Sequence, residues 1–308
     1  MSVEQVDVVI VGGSFAGIAA GITLARAMRS VVVIDAGSPR NAAVAHAHSI
    51  PGLDGVNPGQ FAAQARQEFV GFGGVVLGDE VTSVQRSNRQ SDRWRVATAA
   101  GRQFVARQVV VATGLTDVLP EIAGLKPLWG TRVFHCPYCH GYETRGLKVA
   151  VFGGPNPAFS AFQPLMLLRW ADTVVFYPNG MELSPVELQQ MRDAGVEIDP
   201  RPVGAIAPED TPGQGVMIRV GGEQHRADVC FVGPDFRPND ELLLAAGCQR
   251  VDGWVPTRDG ATDLPGLWAV GNVVSSPDQV TQAMGTAVAA AIAIDRTMFF
   301  EDLHITSS

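Results

Sequence analysis

The sequence predicts an α/β protein made of two three-layer βαβ domains, one inserted into the other. Three observations carry that expectation. The chain opens on a strand, a glycine turn, a helix and a second strand. A second strand and glycine turn stand near its middle, and an apolar, alanine-rich stretch follows towards its end. Its 308 residues are enough for two buried cores. With 46% hydrophobic residues, 18% charged residues and 34 glycines, the composition suits parallel strands buried on both faces.

Val6–Val11 is a strand candidate. Phe15–Met28 carries helical spacing with small residues at its start, and Val31–Ile34 is a second strand ending on Asp35. Between the first strand and the helix lies GGSFAG, Gly12 to Gly17, where a dinucleotide-binding turn has GxGxxG. Ser14 replaces the middle glycine; it is small, and its hydroxyl can donate to a phosphate at a helix N-terminus. Asp35 falls about 20 residues downstream, the position from which an acid bonds a ribose hydroxyl. Strand, turn, helix, strand and acid together predict a Rossmann-like dinucleotide site.

Val109–Val111 and Ala112-Thr113-Gly114 read as a short buried strand ending in a turn, and Leu119-Pro120 marks a boundary. A second βα turn comes at VAVFGGPNPAFSAF (Val149–Phe162), followed by a strand at Val174–Tyr177 and a closing strand at Val229–Val232. The chain returns through LPGLWAVGNVV (Leu264–Val274) to a helix over Gln279–Arg296.

The net charge of −8, without a Lys/Arg block, argues against nucleic acid or an anionic membrane as the main partner. The first apolar run follows Glu4 and Asp7 instead of a basic segment, which disfavours secretion. Ala287–Ile294, AVAAAIAI, is far short of the roughly 20 residues needed to span a bilayer. A soluble, cytoplasmic protein is expected. In a reducing compartment, four cysteines with one close pair suggest redox chemistry or metal binding, not a disulfide scaffold.

That pair lies in FHCPYCHGYE, Phe134 to Glu143. Two intervening residues bring Cys136 and Cys139 within bonding reach at a helix start, and Pro137 restricts the turn. Zinc would take both cysteines with His135 or His140 and would still need a fourth ligand. Cys230 and Cys248 form no second pair, and Cys230 sits in an apolar run suited to a buried, inert thiol. No metal is expected. A purely structural bridge between such near neighbours would restrain little chain entropy, so redox catalysis is favoured. His140, with an ordinary pKa of about 6.5, is placed to take and return protons.

In the second glycine turn, GGPNPA, Pro155 stands where a glycine belongs and Pro157 follows. Proline offers no N–H to a phosphate, and its ring fills the approach to the backbone. Pro164 is expected to interrupt or kink the next helix. YPNGMEL (Tyr177–Leu183) has no arginine to read a 2′-phosphate. The expectation is that NAD(P)H has lost its site, with Arg169 or Arg201 as alternative contacts.

Two nucleotide-type folds with CxxC just before the second turn resemble the low-molecular-weight thioredoxin reductases, flavoproteins of the pyridine nucleotide–disulfide oxidoreductase type. The resemblance covers nearly the whole chain. It implies FAD held by Gly12, Ser14, Phe15, Ala16 and Gly17, by Asp35, Ala36, Arg40, Asn41 and Ser49, and by Ala112, Thr113 and Gly114. Gly271, Asn272, Gln282 and Ala283 complete the implied set. The family's GD and RQA motifs read Gly271-Asn272 and Thr281-Gln282-Ala283 here, each losing one charge but keeping hydrogen-bonding side chains. It also implies a FAD-binding domain over 1–116 and 241–308, a CxxC-bearing, NADPH-domain-like insertion over 117–240, and a homodimer.

VATGLTDVLPEIAGL with FHCPYCHGYE is more narrowly similar to the FAD-dependent dithiol oxidases of the gliotoxin and holomycin type. Thioredoxin reductases proper have Asp after the second cysteine, where this chain has His140. The resemblance implies that Cys139 faces the flavin while Cys136 exchanges with substrate. The expected reaction is oxidation of a small dithiol to a disulfide, with O2 as acceptor and H2O2 as product. The alternative is reduction of a disulfide, such as that of a thioredoxin-like protein, with NADPH, ferredoxin or flavodoxin as donor. His46 and His48 are placed by the resemblance near the flavin, or else face solvent in a loop. Trp129, Phe134 and Tyr138 either line an apolar slot or simply pack around the turn.

Overall fold

The structure, a computed structural model, describes residues 3–87, 92–209, 215–276 and 278–304. Two compact units result: one comprises 1–42, 49–116 and 238–308, the other 43–48 and 117–237.

The first unit begins β1 (Glu4–Val11), α1 (Phe15–Arg26), β2 (Val31–Asp35), α2 (Pro58–Gly71) and β3 (Val75–Gly78). It continues with β4 (Val81–Arg86), β5 (Trp94–Thr98), β6 (Gln103–Val111) and β7 (Leu115–Val118). In the second unit come β8 (Val133–Phe134), α3 (Pro137–His140), β9 (Lys148–Phe152), α4 (Pro157–Leu167), β10 (Thr173–Tyr177), α5 (Pro185–Asp193) and β11 (Glu197–Ile198). The same unit adds β12 (Val203–Pro208), β13 (Val216–Val220), β14 (Glu223–Ala227) and β15 (Val229–Val232) before the chain leaves through β16 (Asp235–Pro238). α6 (Glu241–Ala246), β17 (Leu267–Ala269) and α7 (Val280–Asp302) complete the first unit.

The first unit's sheet runs β3-β2-β1-β6-β5-β4, with β17 also on β6. β1 pairs in parallel with β2 (Val8↔Val31) and β6 (Val11↔Val111), which buries its last four residues on both faces. Alternation then divides the strand between two cores. Val8 and Ile10 join α1 and α7 on one face, while Val9 and Val11 join Trp94, Phe104 and Leu243 on the other. Each such aliphatic side chain contributes roughly 1.5–3 kcal/mol by leaving water.

The second unit repeats the plan with a five-stranded parallel sheet, β11-β10-β9-β15-β8. Val149 and Val151 face a core with Leu167 and Met191, and Ala150 and Phe152 face one with Ile206, Val216 and Ile218. The antiparallel β12-β13-β14 supplies that second layer.

Two local expectations change. The C-terminal helix extends to Asp302 and, among the described residues, is the one helix long and apolar enough to cross a membrane. Its apolar content has a core use: Ala287, Ala290, Ala291, Ile294 and Met298 are fully buried in the cluster that includes α1. Pro164 does not interrupt α4, which runs through it from Pro157 to Leu167.

Candidate active site

In the first unit the turn after β1 is shaped by glycines that tolerate no side chain. Gly12 has φ +98°, and a Cβ there would strike the Ala112 carbonyl; a Cβ on Gly17 would fall on the Gly12 carbonyl oxygen. Gly271 closes the same region, since its Cβ would come within 2.8 Å of the Ala16 Cβ and 3.8 Å of the Ala283 Cβ. Ser14 is the N-cap of α1, yet its hydroxyl makes no capping bond and the first turn holds no acid. The leading N–H groups of a helix have no partners within it. The helix start therefore suits a pyrophosphate, and the bare glycine backbone gives it room. These residues fit a dinucleotide.

Asp35 accepts the Gly13 N–H at 3.2 Å and pairs with Arg66, whose Nε donates to the Gly13 carbonyl at 3.0 Å. Arg66 escaped the sequence reading. Its helix, α2, has a readable start in Asn57-Pro58, where Asn57 accepts the Gln60 N–H. The Ala112-Thr113-Gly114 turn is pinned by Asn239: Thr113 Oγ1 donates to its carbonyl at 2.6 Å, and its Nδ2 donates to the Thr113 carbonyl at 3.0 Å. Asn272 Nδ2 donates to the Ser275 carbonyl at 3.0 Å, tying the segment before α7. Gln282 Oε1 accepts the Gln279 N–H in a capping box, so this oxygen serves the helix. Ala36 is exposed, Ser49 adopts φ +61°, and Arg40 and Asn41 begin a short 3₁₀ turn.

The second unit carries Cys136 and Cys139 as a disulfide with a Cα–Cα distance of 5.2 Å. Cys136 is the N-cap of α3, Pro137 takes the first helical position, and the Cys139 N–H donates to the Cys136 sulfur at 3.1 Å. A donor aimed at that sulfur favours its thiolate when the bridge opens. Cys230 is fully buried, and burial pushes its thiol well above the ordinary range.

His140 stacks on Phe134, with ring centroids 4.1 Å apart, and stands edge-on to His48 at 6.2 Å. His48 Nε2 lies 3.7 Å from Glu143 Oε1. His140 Nδ1 is buried and has no partner among the described residues. Burial, helped by His48, pushes His140 down to about 4, so the ring is neutral at neutral pH. Trp129 stacks on His135 at 5.7 Å, and His135 meets Phe236 at 5.8 Å. Tyr138 and His46 are exposed.

The depressed His140 pKa fixes the sign of a pH effect. Above about pH 6.5 the ring is neutral in both folded and unfolded chains; between there and about pH 4 only the unfolded chain takes up the proton. Acidification should therefore remove about 3 kcal/mol of stability through this group. Denaturant midpoints from neutral pH to about pH 4 will show it, and His140→Phe, which keeps a ring on Phe134, should flatten that part of the slope. An unchanged slope in His140→Phe would refute the assignment.

The turn after β9 is the counterpart of the first glycine turn and shares part of its bonding, since Gly12 N–H there donates to the Ile34 carbonyl at 2.8 Å, Gly13 N–H to Asp35 and Ile18 N–H to the Ser14 carbonyl at 2.9 Å. It differs in its two prolines, in the Asn156 N–H and in the cap that Asn156 provides. Gly153 N–H donates to the Tyr177 carbonyl at 2.7 Å, Gly154 N–H to Ser160 Oγ at 3.1 Å, and Asn156 N–H to the Gly233 carbonyl at 3.4 Å. Phe159 N–H donates to Asn156 Oδ1 at 3.2 Å and Ser160 N–H to the Asn156 carbonyl at 2.9 Å. Pro155 and Pro157 have no N–H. From Gly153 to Ser160 only the Ala158 N–H lacks such an assignment. Arg201 is paired with Asp199 at 2.7 Å and Glu223 at 2.9 Å, while the Arg169 guanidinium lies over Trp170 at 5.9 Å.

Comparison with known proteins gives consistent relatives. The family model described as pyridine nucleotide-disulphide oxidoreductase matches residues 6–287. A thioredoxin reductase of Claviceps purpurea, tcpT, is 31% identical over 92% of this chain and 85% of its own length. The thioredoxin reductase sirT of Leptosphaeria maculans is 28% identical over 94% of this chain and 93% of its own. Among solved structures, HlmI superposes with a TM-score of 0.92 at 37% identity, covering 97% of this chain and 94% of that one.

Proposed function

The chain belongs to the pyridine nucleotide-disulphide oxidoreductase family, as a thioredoxin reductase-like enzyme that uses FAD, and we propose that it works in the direction of disulfide formation. Its substrate is a small dithiol. The observation that carries this reading is the turn after β9, where Pro155 and Pro157 have no N–H, Asn156 gives its own N–H to the Gly233 carbonyl, and Asn156 Oδ1, unlike the Ser14 hydroxyl, takes the Phe159 N–H at the helix start. A nicotinamide dinucleotide would have to break these bonds to gain a phosphate cradle, and Arg201 would have to abandon two carboxylates.

Gly12, Ser14, Gly17, Asp35 and the Ala112-Thr113-Gly114 turn hold FAD in the first unit under this reading. FAD bound there would supply a two-electron acceptor for the reduced cysteine pair, with O2 as the terminal acceptor and H2O2 as the product. The chain's own part is thiol exchange. A substrate thiolate attacks the Cys136 sulfur, forming a mixed disulfide and releasing Cys139 as thiolate. The second substrate thiol attacks the substrate sulfur of that mixed disulfide, closing the product disulfide and releasing Cys136 as thiolate beside the Cys139 N–H. The Cys139 thiolate released in the first exchange raises the proton affinity of neutral His140, which then takes the proton of the second substrate thiol. The protein acts as a cytoplasmic homodimer in this reading.

Anaerobic mixing tests it. A dithiol such as dithiothreitol should bleach the bound flavin within seconds, and NADPH at micromolar concentration should leave it unchanged. Rapid bleaching by NADPH would overturn the proposal.

A further inference from the structure

We propose that Gln163 of α4 is a positioning residue for the redox pair, holding the peptide that enters Cys136 through a hydrogen bond to the His135 carbonyl. The inference rests on the reading of Cys136–Cys139 as the redox pair.

Gln163 is fully buried in a helix otherwise dominated by Ala, Phe, Leu, Met and Pro. Its Nε2 donates to the His135 carbonyl at 2.6 Å and to the Val232 carbonyl at 3.0 Å. Both partners are acceptors, so the amide can point only one way: nitrogen toward the carbonyls, oxygen away. That oxygen, Oε1, is buried and accepts nothing among the described residues. An apolar side chain would avoid burying the unpaired Oε1 but would take the donor from the His135 and Val232 carbonyls, so the cost of the amide is offset by what its nitrogen holds.

What it holds is the junction between two strand ends and the cysteine loop. His135 follows β8 and Val232 ends β15, neighbouring strands of one parallel sheet. The carboxyl ends of such strands form the crevice where a dinucleotide-binding sheet takes its ligand. In this chain α4 reaches that edge with Ser160 on Gly154 and Gln163 on His135, so the helix serves the cysteine loop. The bond to His135 fixes the His135–Cys136 peptide, and Cys136 then takes the extended conformation, φ −99° and ψ 108°, that presents its sulfur to the Cys139 N–H. Without the tether the N-cap loses its orientation, and the Cys136 thiolate loses part of its stabilisation.

The test uses FAD-loaded enzyme carrying Gln163→Leu or the isosteric Gln163→Glu, equilibrated in dithiothreitol redox buffers, with Cys136 alkylation followed against pH. Gln163→Leu should shift the thiol–disulfide equilibrium about tenfold toward the disulfide, or about 30 mV. It should also move the Cys136 alkylation profile to higher pH and slow dithiol turnover about tenfold. Gln163→Glu should resemble Gln163→Leu when ionised and recover part of the way in acid, where the neutral carboxyl donates one bond. If folded Gln163→Leu keeps the wild-type equilibrium and alkylation profile while only melting earlier, Gln163 is packing and the proposal is wrong. Failure of the underlying reading is separate: it would show as dithiol oxidation that survives Cys136→Ser.

Discussion

Cys136→Ser should lower dithiol-dependent O2 consumption by at least about 10³-fold while the purified protein keeps its full complement of FAD. Serine can neither form the mixed disulfide nor close a bridge with Cys139, so both exchange steps are lost. The cofactor is spared because its expected ligands all belong to the first unit and Cys136 to the second. Cys139→Ser should be equally inactive, but it should differ in single turnover: Cys136, still a thiol, can be trapped as a mixed disulfide with an aromatic disulfide reagent. An oxygen electrode with dithiothreitol, together with flavin absorbance per protein, checks both claims. Residual turnover above about a tenth of wild type in Cys136→Ser would remove this cysteine from the chemistry.

The second large effect is expected at Gly17→Ala. An added Cβ would land on the Gly12 carbonyl oxygen, and the backbone at Gly12 has little room to withdraw, because a Cβ built there would itself strike the Ala112 carbonyl. No flexible side chain lies between these backbone groups to absorb the change. The start of α1 must move away from β1, at a cost of about 2–4 kcal/mol and with loss of the close backbone approach that a pyrophosphate needs. The variant should therefore purify largely without FAD and unfold at lower denaturant. Gly285→Ala is the control. It also lies in a helix but has open space at its Cβ, and should gain about 0.5–1 kcal/mol with FAD retained. Full flavin content in Gly17→Ala would show that the cradle lies elsewhere.

The parallel cores were legible because strands buried on both faces write themselves as unbroken apolar runs, as in Val8–Val11 and Val149–Phe152. The two glycine turns were legible for the complementary reason: backbone in close contact leaves a trace in residue type. The antiparallel additions were not. β4 buries only Val81 and Val84 of its six residues and carries a register irregularity, while β12, β13 and β14 are strands of five or six residues, and no short-range signal marks their pairing. Arg66 and Gln163 were invisible for another reason. An arginine or glutamine in a helix ordinarily reads as solvated surface, and only tertiary packing brings one to Asp35 and the other to the His135 carbonyl. The sequence placed His140 beside the cysteine pair but did not show that burial holds it neutral, since neither Phe134 nor His48 reveals from sequence how closely it approaches.

With the proposed direction of electron flow, the self-satisfied turn at Gly153–Ser160 insulates the enzyme from the cell's nicotinamide balance. A reductase with an open second cradle responds to every swing in the ratio of NADPH to NADP⁺, and in excess NADPH it would undo the disulfides it had made. On that reading, the prolines at 155 and 157 and the Asn156 bonds to Phe159 and Gly233 close that route. Product formation then follows oxygen and dithiol supply alone, and a cell rich in reducing power can still accumulate the oxidised product.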